Sequence, residues 1–284
     1  MGLKKSKKNR SKRKVQGPLR EIGHPIHNEP AFLIEHPKNN KQNVLVLADI
    51  HYGIEHSLAQ AGARLPSHTK KITDRIIDLC SKYEVTTLVL LGDIKHTVPT
   101  TSRQEWHEIP EVFDKLAGAI NKIDIIPGNH DGNLQRLIPS SVKNVRFHPT
   151  SGTVLYGIGL FHGHTWPAPK VFQASQVLMA HNHPNVLFMD KLGGQVSYSC
   201  WLRSTLDIEI VKIRYPKISG QGPEIIIMPA FNDIGTGTPV NAKNPEFLGP
   251  LLKNKLVALN SAKIYLLDGT DLGRLDELVH LSLI

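Results

Sequence analysis

KIDIIPGNHDGN, residues 122–133, begins as a short apolar, β-branched run, stops at Pro127 and Gly128, and releases an asparagine, a histidine and an aspartate in succession. It reads as a buried strand followed by a turn, with Gly128 and Gly132 expected to supply the positive φ of a tight loop. The same grammar occurs twice upstream, in NVLVLAD (43–49) and TTLVLLGD (86–93). Between the first two runs, Ile72, Ile76, Leu79, Cys80 and Tyr83 recur at helical spacing; between the second and third, so do Trp106, Phe113, Leu116 and Ile120. Pro110 is expected to start or kink that second helix. Strand, helix, strand, helix, strand predicts a parallel sheet with right-handed crossovers. The carboxyl ends of such strands lie along one edge.

Beyond residue 140 the pattern changes to short strands with close turns: NVRF (144–147), GTVLYG (152–157), IGLFHG (158–163), QVLMAHN (176–182), NVLFMD (185–190) and QVSYSC (195–200). EIIIMPAF (224–231) and AKIYLLDG (262–269) follow, divided by the glycine-rich NDIGTGTPVN (232–241). These predict a second sheet packed on the first, hence an α/β fold of two packed mixed β-sheets flanked by helices. Upstream, AFLI (31–34) reads as an edge strand.

A chain of 284 residues with 40% apolar content buries one large core. The formal charge of +9 is concentrated: residues 1–14 hold eight Lys or Arg and no acid, and subtracting 8 from +9 leaves about +1 for the remainder. Residues 1–17 are therefore expected to be a disordered basic tail suited to a polyanion such as nucleic acid, or a solubilising extension. Residues 18–284 are expected to form a single domain. No apolar run has the length of a membrane span or follows the basic start as a signal core, which points to a cytoplasmic protein. Cys80 and Cys200 lack metal-binding spacing and read as buried thiols. Nothing in the pattern sets an oligomeric state.

Nearly every predicted strand end carries a metal-type ligand: Asp49 and His51 after the first, Asp93 after the second, Asn129 after the third, then His162, and His181 with His183. Seven oxygen and nitrogen ligands exceed what one four-coordinate ion takes and suit two ions sharing a carboxylate, for which Asp93 is the choice. Imidazole mixed with carboxylate fits manganese, iron, zinc, cobalt or nickel better than calcium.

In order, DIH (49–51), GDIKH (92–96), GNHD (128–131), HGH (162–164) and HNHP (181–184) resemble the five signature blocks of the calcineurin-like metallophosphoesterases. The last block departs in having Ala180 where the family usually has glycine. GDIKH, HGHTWP and MPAFN look more like the compact archaeal and bacterial ICC-like group than like the protein serine/threonine phosphatases. The resemblance implies a four-layer α/β/β/α sandwich and two divalent ions, with manganese the leading expectation. It implies that Asp49, His51, Asp93 and His183 hold one ion and Asp93, Asn129, His162 and His181 the other. His130 would stand beside the ions as the acid, oriented by Asp131. His96, His164 and Arg203 are candidates for phosphate contacts or for purely local roles.

The expected activity is hydrolysis of a phosphate ester, a diester of a nucleotide or nucleic acid before a phosphomonoester or phosphoprotein. A non-catalytic scaffold of the same fold is the alternative from another class.

Overall fold

The computed structural model describes residues 23–35, 43–189, 192–218, 220, 222–235 and 237–278. The tail expected over residues 1–17 lies outside them. Strands β1 (Gly23–Pro25), β2 (Ala31–Ile34), β3 (Asn43–Leu47), β4 (Val85–Leu91), β5 (Lys122–Ile126) and β6 (Val145–Phe147) form the first sheet in that spatial order. From β3 to β6 every pairing is parallel, as the crossover pattern predicts, whereas β1 and β2 run antiparallel. Two expectations need correction. AFLI is not an edge strand, because β1 covers it. NVRF does not enter the second sheet, since it pairs with β5 after a short 3-10 turn.

The crossovers are α1 (Ile54–Gln60) with α2 (Thr69–Lys82), then α3 (Arg103–Ala119). Ser102 caps α3 by accepting from the Glu105 amide, and Glu105 bonds back to the Ser102 amide, the S-x-x-E capping box. Pro110 neither starts this helix nor ends it. Its ring removes the hydrogen bond to the Trp106 carbonyl, but Trp106 is exposed, so water can satisfy that oxygen. The exposure of Trp106 also removes it from the core-facing stripe expected of it.

The second sheet contains β7 (Thr153–Leu155), β8 (Ile158–Phe161), β9 (Gln176–Met179), β10 (Pro184–Met189), β11 (Gln195–Thr205), β12 (Glu224–Ile227) and β13 (Thr238–Pro239). Their order is β13-β10-β11-β12-β9-β8-β7, and β14 (Lys263–Leu266) and β15 (Asp271–Arg274) join through β11. Strands β8, β9 and β12 are parallel, so this sheet also has a carboxyl edge.

Three apolar layers hold the sandwich. Ile76, Leu79, Phe113 and Leu116 pack the helices onto Leu45, Leu88 and Ile123 of the first sheet. Between the sheets lie Val46, Val89, Leu160, Leu178, Ile226 and Trp201. Beyond the second sheet, Val177, Ile225 and Leu202 meet Val211 of α4 (Ile208–Arg214), Leu251 of α5 (Gly249–Lys253) and Leu275 of α6 (Leu275–Leu278). Helix, sheet, sheet, helix is the four-layer order. Ala180 lies in the layer between the sheets, where its methyl group is buried with Ala48 and Met228. Cys80 and Cys200 are free and buried.

Candidate metal centre

The strand-end loops of both sheets meet at one seam. The β3 loop runs alongside the β4 loop as a short parallel extension: Asp49 N–H donates to Gly92 O (3.1 Å), His51 N–H to Asp93 O (2.9 Å) and Tyr52 N–H to Ile94 O (2.8 Å). Asp49, His51, Asp93, His181 and His183 all have positive φ, between 42° and 73°. Left-handed backbone at non-glycine residues costs on the order of 1 kcal/mol or more each and concentrates where function needs a side chain aimed. Here it turns the chain immediately after each strand, so the side chains point back into the seam.

Two glycines make room. A Cβ on Gly92 would overlap the His162 ring, and one on Gly128 would overlap the Asp93 carboxylate. Gly128 and Gly132 do not take the positive φ expected of them; Gly128 is required by the close approach instead.

Six of the seven expected ligand residues fall into two groups, Asp49 with His51 and His183, and Asp93 with His162 and His181; in each, one ligand atom per residue lies within 4.8 Å of the others. Nε2 of His51 faces Nε2 of His183 at 3.3 Å. Two ligands about 2.1 Å from one ion stand roughly 3.4 Å apart at a tetrahedral angle, so the donor set fits a bound cation. Asp93 Oδ2 lies 3.9 Å from His51 Nε2 and 3.6 Å from His162 Nε2, between the groups, as a shared carboxylate must. His162 Nε2 also lies 2.9 Å from Asp49 Oδ1. Asn129, the seventh, is exposed on the β5 loop beside Gly128.

Electrostatics favour the neutral ligating form at His51 and His181, whereas at His162 and His183 burial is outweighed by Asp93 and Asp49, which raise both rings. Burial, with His183 adding to it, holds His51 well below the usual imidazole range. Burial and His162 push His181 down to about 3 and His164 to about 4. His51 and His181 are thereby held in the neutral form that metal binding requires. Burial works to raise Asp49, but His183 and His162 outweigh it and hold the carboxyl low. Asp93 is raised by burial, with Asp49 adding to it. Two buried carboxylates so close call for positive charge between them.

Beside this set stands His130. Its amide donates to Asp93 Oδ1 (2.9 Å), its Nε2 is 3.8 Å from Asp93 Oδ2, and its Nδ1 meets the carbonyl oxygen of His96. Asp131 does not touch the His130 ring. Its buried carboxylate accepts from the amides of Ile94 (2.9 Å), Lys95 (3.2 Å) and Gly128 (2.8 Å), tying the β4 loop to the β5 loop. The orienting role expected of it is corrected accordingly. Burial, reinforced by Asp93, pushes this carboxyl up to about 6.

His96 Nδ1 approaches His51 Nδ1 at 3.3 Å and His164 Nδ1 approaches His162 Nδ1 at 3.0 Å, so both lie directly behind expected ligands. Arg203 lies elsewhere. It pairs with Glu224 (2.7 Å), whose β12 position is in register with Gln176 at the amino end of β9, opposite the seam.

The calcineurin-like phosphoesterase family model matches residues 42–217. The chain belongs to that family. All seven expected ligand residues and His130 lie inside the matched segment. No curated protein matches the chain. Similar solved structures include nuclease MPE of Pseudomonas putida, at 18% identity and a TM-score of 0.49 over 87% of this chain and 97% of that one. Another is YfcE, a phosphoesterase from E. coli, at 12% identity and a TM-score of 0.38 over 81% of this chain and 97% of that one.

Membership of a phosphoesterase family gives the ligand groups their context, and three further residues hold them in place. Asn182, the spacer of HNH, accepts from the Leu248 amide (2.7 Å) and fixes the loop between His181 and His183. Asn232 donates to Ile50 O (2.8 Å), so the 232–241 loop anchors the segment between Asp49 and His51. Buried Glu105 accepts from the amides of His96 (2.9 Å) and Thr97 (2.7 Å). Asn182 and Asn232 stand in the HNHP and MPAFN blocks, where an asparagine reads as a turn residue, and Glu105 stands in the S-x-x-E pattern, which marks a helix start rather than a site.

Proposed function

We propose that this phosphoesterase hydrolyses a phosphodiester of a nucleotide or nucleic acid at a centre of two divalent transition-metal ions, manganese first among manganese, iron, zinc, cobalt and nickel. The observation that carries the reading is the meeting of two three-residue ligand groups across the seam with Asp93 between them. Asp49, His51, Asp93 and His183 hold one ion, and Asp93, Asn129, His162 and His181 the other. When bound, such a pair polarises a phosphoryl oxygen and lowers the pKa of water toward neutrality. The remaining work falls to the chain. Nδ1–H of His130 donates to the His96 carbonyl, so a second proton held on Nε2 makes the ring an imidazolium; that Nε2 proton is the one delivered to the departing oxygen, which returns the ring to its Nδ1–H form. Its side chain is 19% exposed, so that nitrogen can reach a substrate at the rim. His96 and His164 keep the rings of His51 and His162 aimed from behind.

The basic segment 1–14 favours nucleic acid as the substrate, and the near-neutral charge of the remainder favours short or single strands over a long duplex. We read residues 18–284 as one catalytic unit, because the layer between the sheets draws on both. Among the described residues no helix is long and apolar enough to cross a membrane, in keeping with a cytoplasmic setting. The test is turnover of a chromogenic diester and the matching monoester with manganese. The diester is expected to be preferred, with activity lost in chelator and restored by manganese. Preference for the monoester would reassign the substrate class, and no metal-dependent turnover of either would favour a scaffold.

A further inference from the structure

The hydrogen bonds around His130 continue past His96. The carbonyl that receives His130 Nδ1 belongs to the peptide unit joining His96 to Thr97, and the N–H of that same unit donates to Glu105 Oε1 at 2.7 Å. Glu105 is 1% exposed, and its two oxygens take three main-chain donors: His96 (2.9 Å) and Thr97 on Oε1, Ser102 (2.6 Å) on Oε2. Helix α3 fixes it from below through the cap. Above it, a Cβ on Gly53 would come within 2.7 Å of its Cγ, so the β3 loop closes over the side chain.

We infer that Glu105 is a positioning residue for His130, acting through one peptide bond as a relayed carboxylate–histidine dyad. A carboxylate accepting from an amide N–H draws electron density toward the carbonyl oxygen of that amide. Hydrogen bonds in such a chain strengthen one another. The His96 oxygen thus becomes a better acceptor for Nδ1–H, which fixes the tautomer and turns Nε2 toward the seam. A carboxylate in direct contact with a histidine does the same in other hydrolases. Here Asp131 is committed to three amides, and the peptide carries the influence of Glu105 instead.

The inference rests on the reading of His130 as the proton donor, and a double-mutant cycle separates the two. Glu105→Gln keeps an oxygen for the loop amides and removes the charge. It is expected to retain its metals and KM while kcat falls about 10- to 100-fold, the usual loss for a supporting partner of a working histidine. In the His130→Ala background the same change is expected to cost nothing further. Equal losses in both backgrounds, or no loss in either, would overturn the relay. Full activity of His130→Ala alone would overturn the reading of His130 and the relay with it. A readout independent of turnover and of the variant's folding is the 15N spectrum of the wild-type histidine rings. A proton on Nδ1 is expected for His130 both in the neutral ring and in the imidazolium that donates from Nε2, and a neutral ring protonated on Nε2 alone would contradict the relay.

Discussion

That Asp49, His51, Asp93, His181 and His183 would converge was legible, because metal chemistry restricts residue type and the parallel sheet restricts place. Their left-handed backbone was not legible, because nothing in an aspartate or histidine announces a positive φ. Gly128 misled for a related reason: glycine signals either backbone freedom or a missing side chain, and only the structure says that Asp93 occupies the space of its Cβ. That assignment makes a prediction at the residue scale. Gly128→Ala should push the Asp93 carboxylate out of place, lowering stability by about 1–3 kcal/mol as overpacking does. Metal affinity should fall with it. Thermal melting and manganese titration check both, and a variant that binds metal as the wild type does would refute the close-approach argument. Gly132→Ala is the control, since no atom stands within 4 Å of its Cβ position.

Strands β3, β4 and β5 were readable from their apolar runs, and α2 from its periodicity. Helix α3 was readable in extent but misjudged at its start, where Pro110 drew attention from Ser102 and Glu105. The edge assignments failed because strand order depends on which neighbour arrives, and β1 carries only GHP to announce itself. Glu105 joins the two kinds of information: one carboxylate both starts α3 and braces the loop beneath His130. The two roles separate by mutation. Ser102→Ala removes the hydroxyl half of the capping box and should cost about 1 kcal/mol of stability. The bonds from Glu105 to His96 and Thr97 do not pass through that hydroxyl, so kcat should change less than 3-fold, a bound below the loss expected of Glu105→Gln. Denaturant melts and steady-state kinetics decide it. A kcat loss as large as that of Glu105→Gln would mean that the helix start alone sets the site.

At the scale of the whole molecule, the site exists because two sheets pack with their carboxyl edges at one seam. Of the two ligand groups, the first sheet contributes Asp49, His51 and Asp93, and the second His162, His181 and His183. Neither sheet carries a complete ligand set, and Asp93 stands between the groups. Arg203, for which residue type alone left a phosphate contact or a local role open, takes the local one: the sheet register puts its Glu224 partner at the opposite end. The account therefore turns on Asp93 serving both ions. The most direct measurement is the manganese bound per chain in the wild type and in Asp93→Asn, by equilibrium dialysis with elemental analysis. Two equivalents are predicted for the wild type. The variant should bind both weakly, because a neutral amide cannot balance two dications. One equivalent in the wild type, or two at unchanged affinity in Asp93→Asn, would contradict the shared centre.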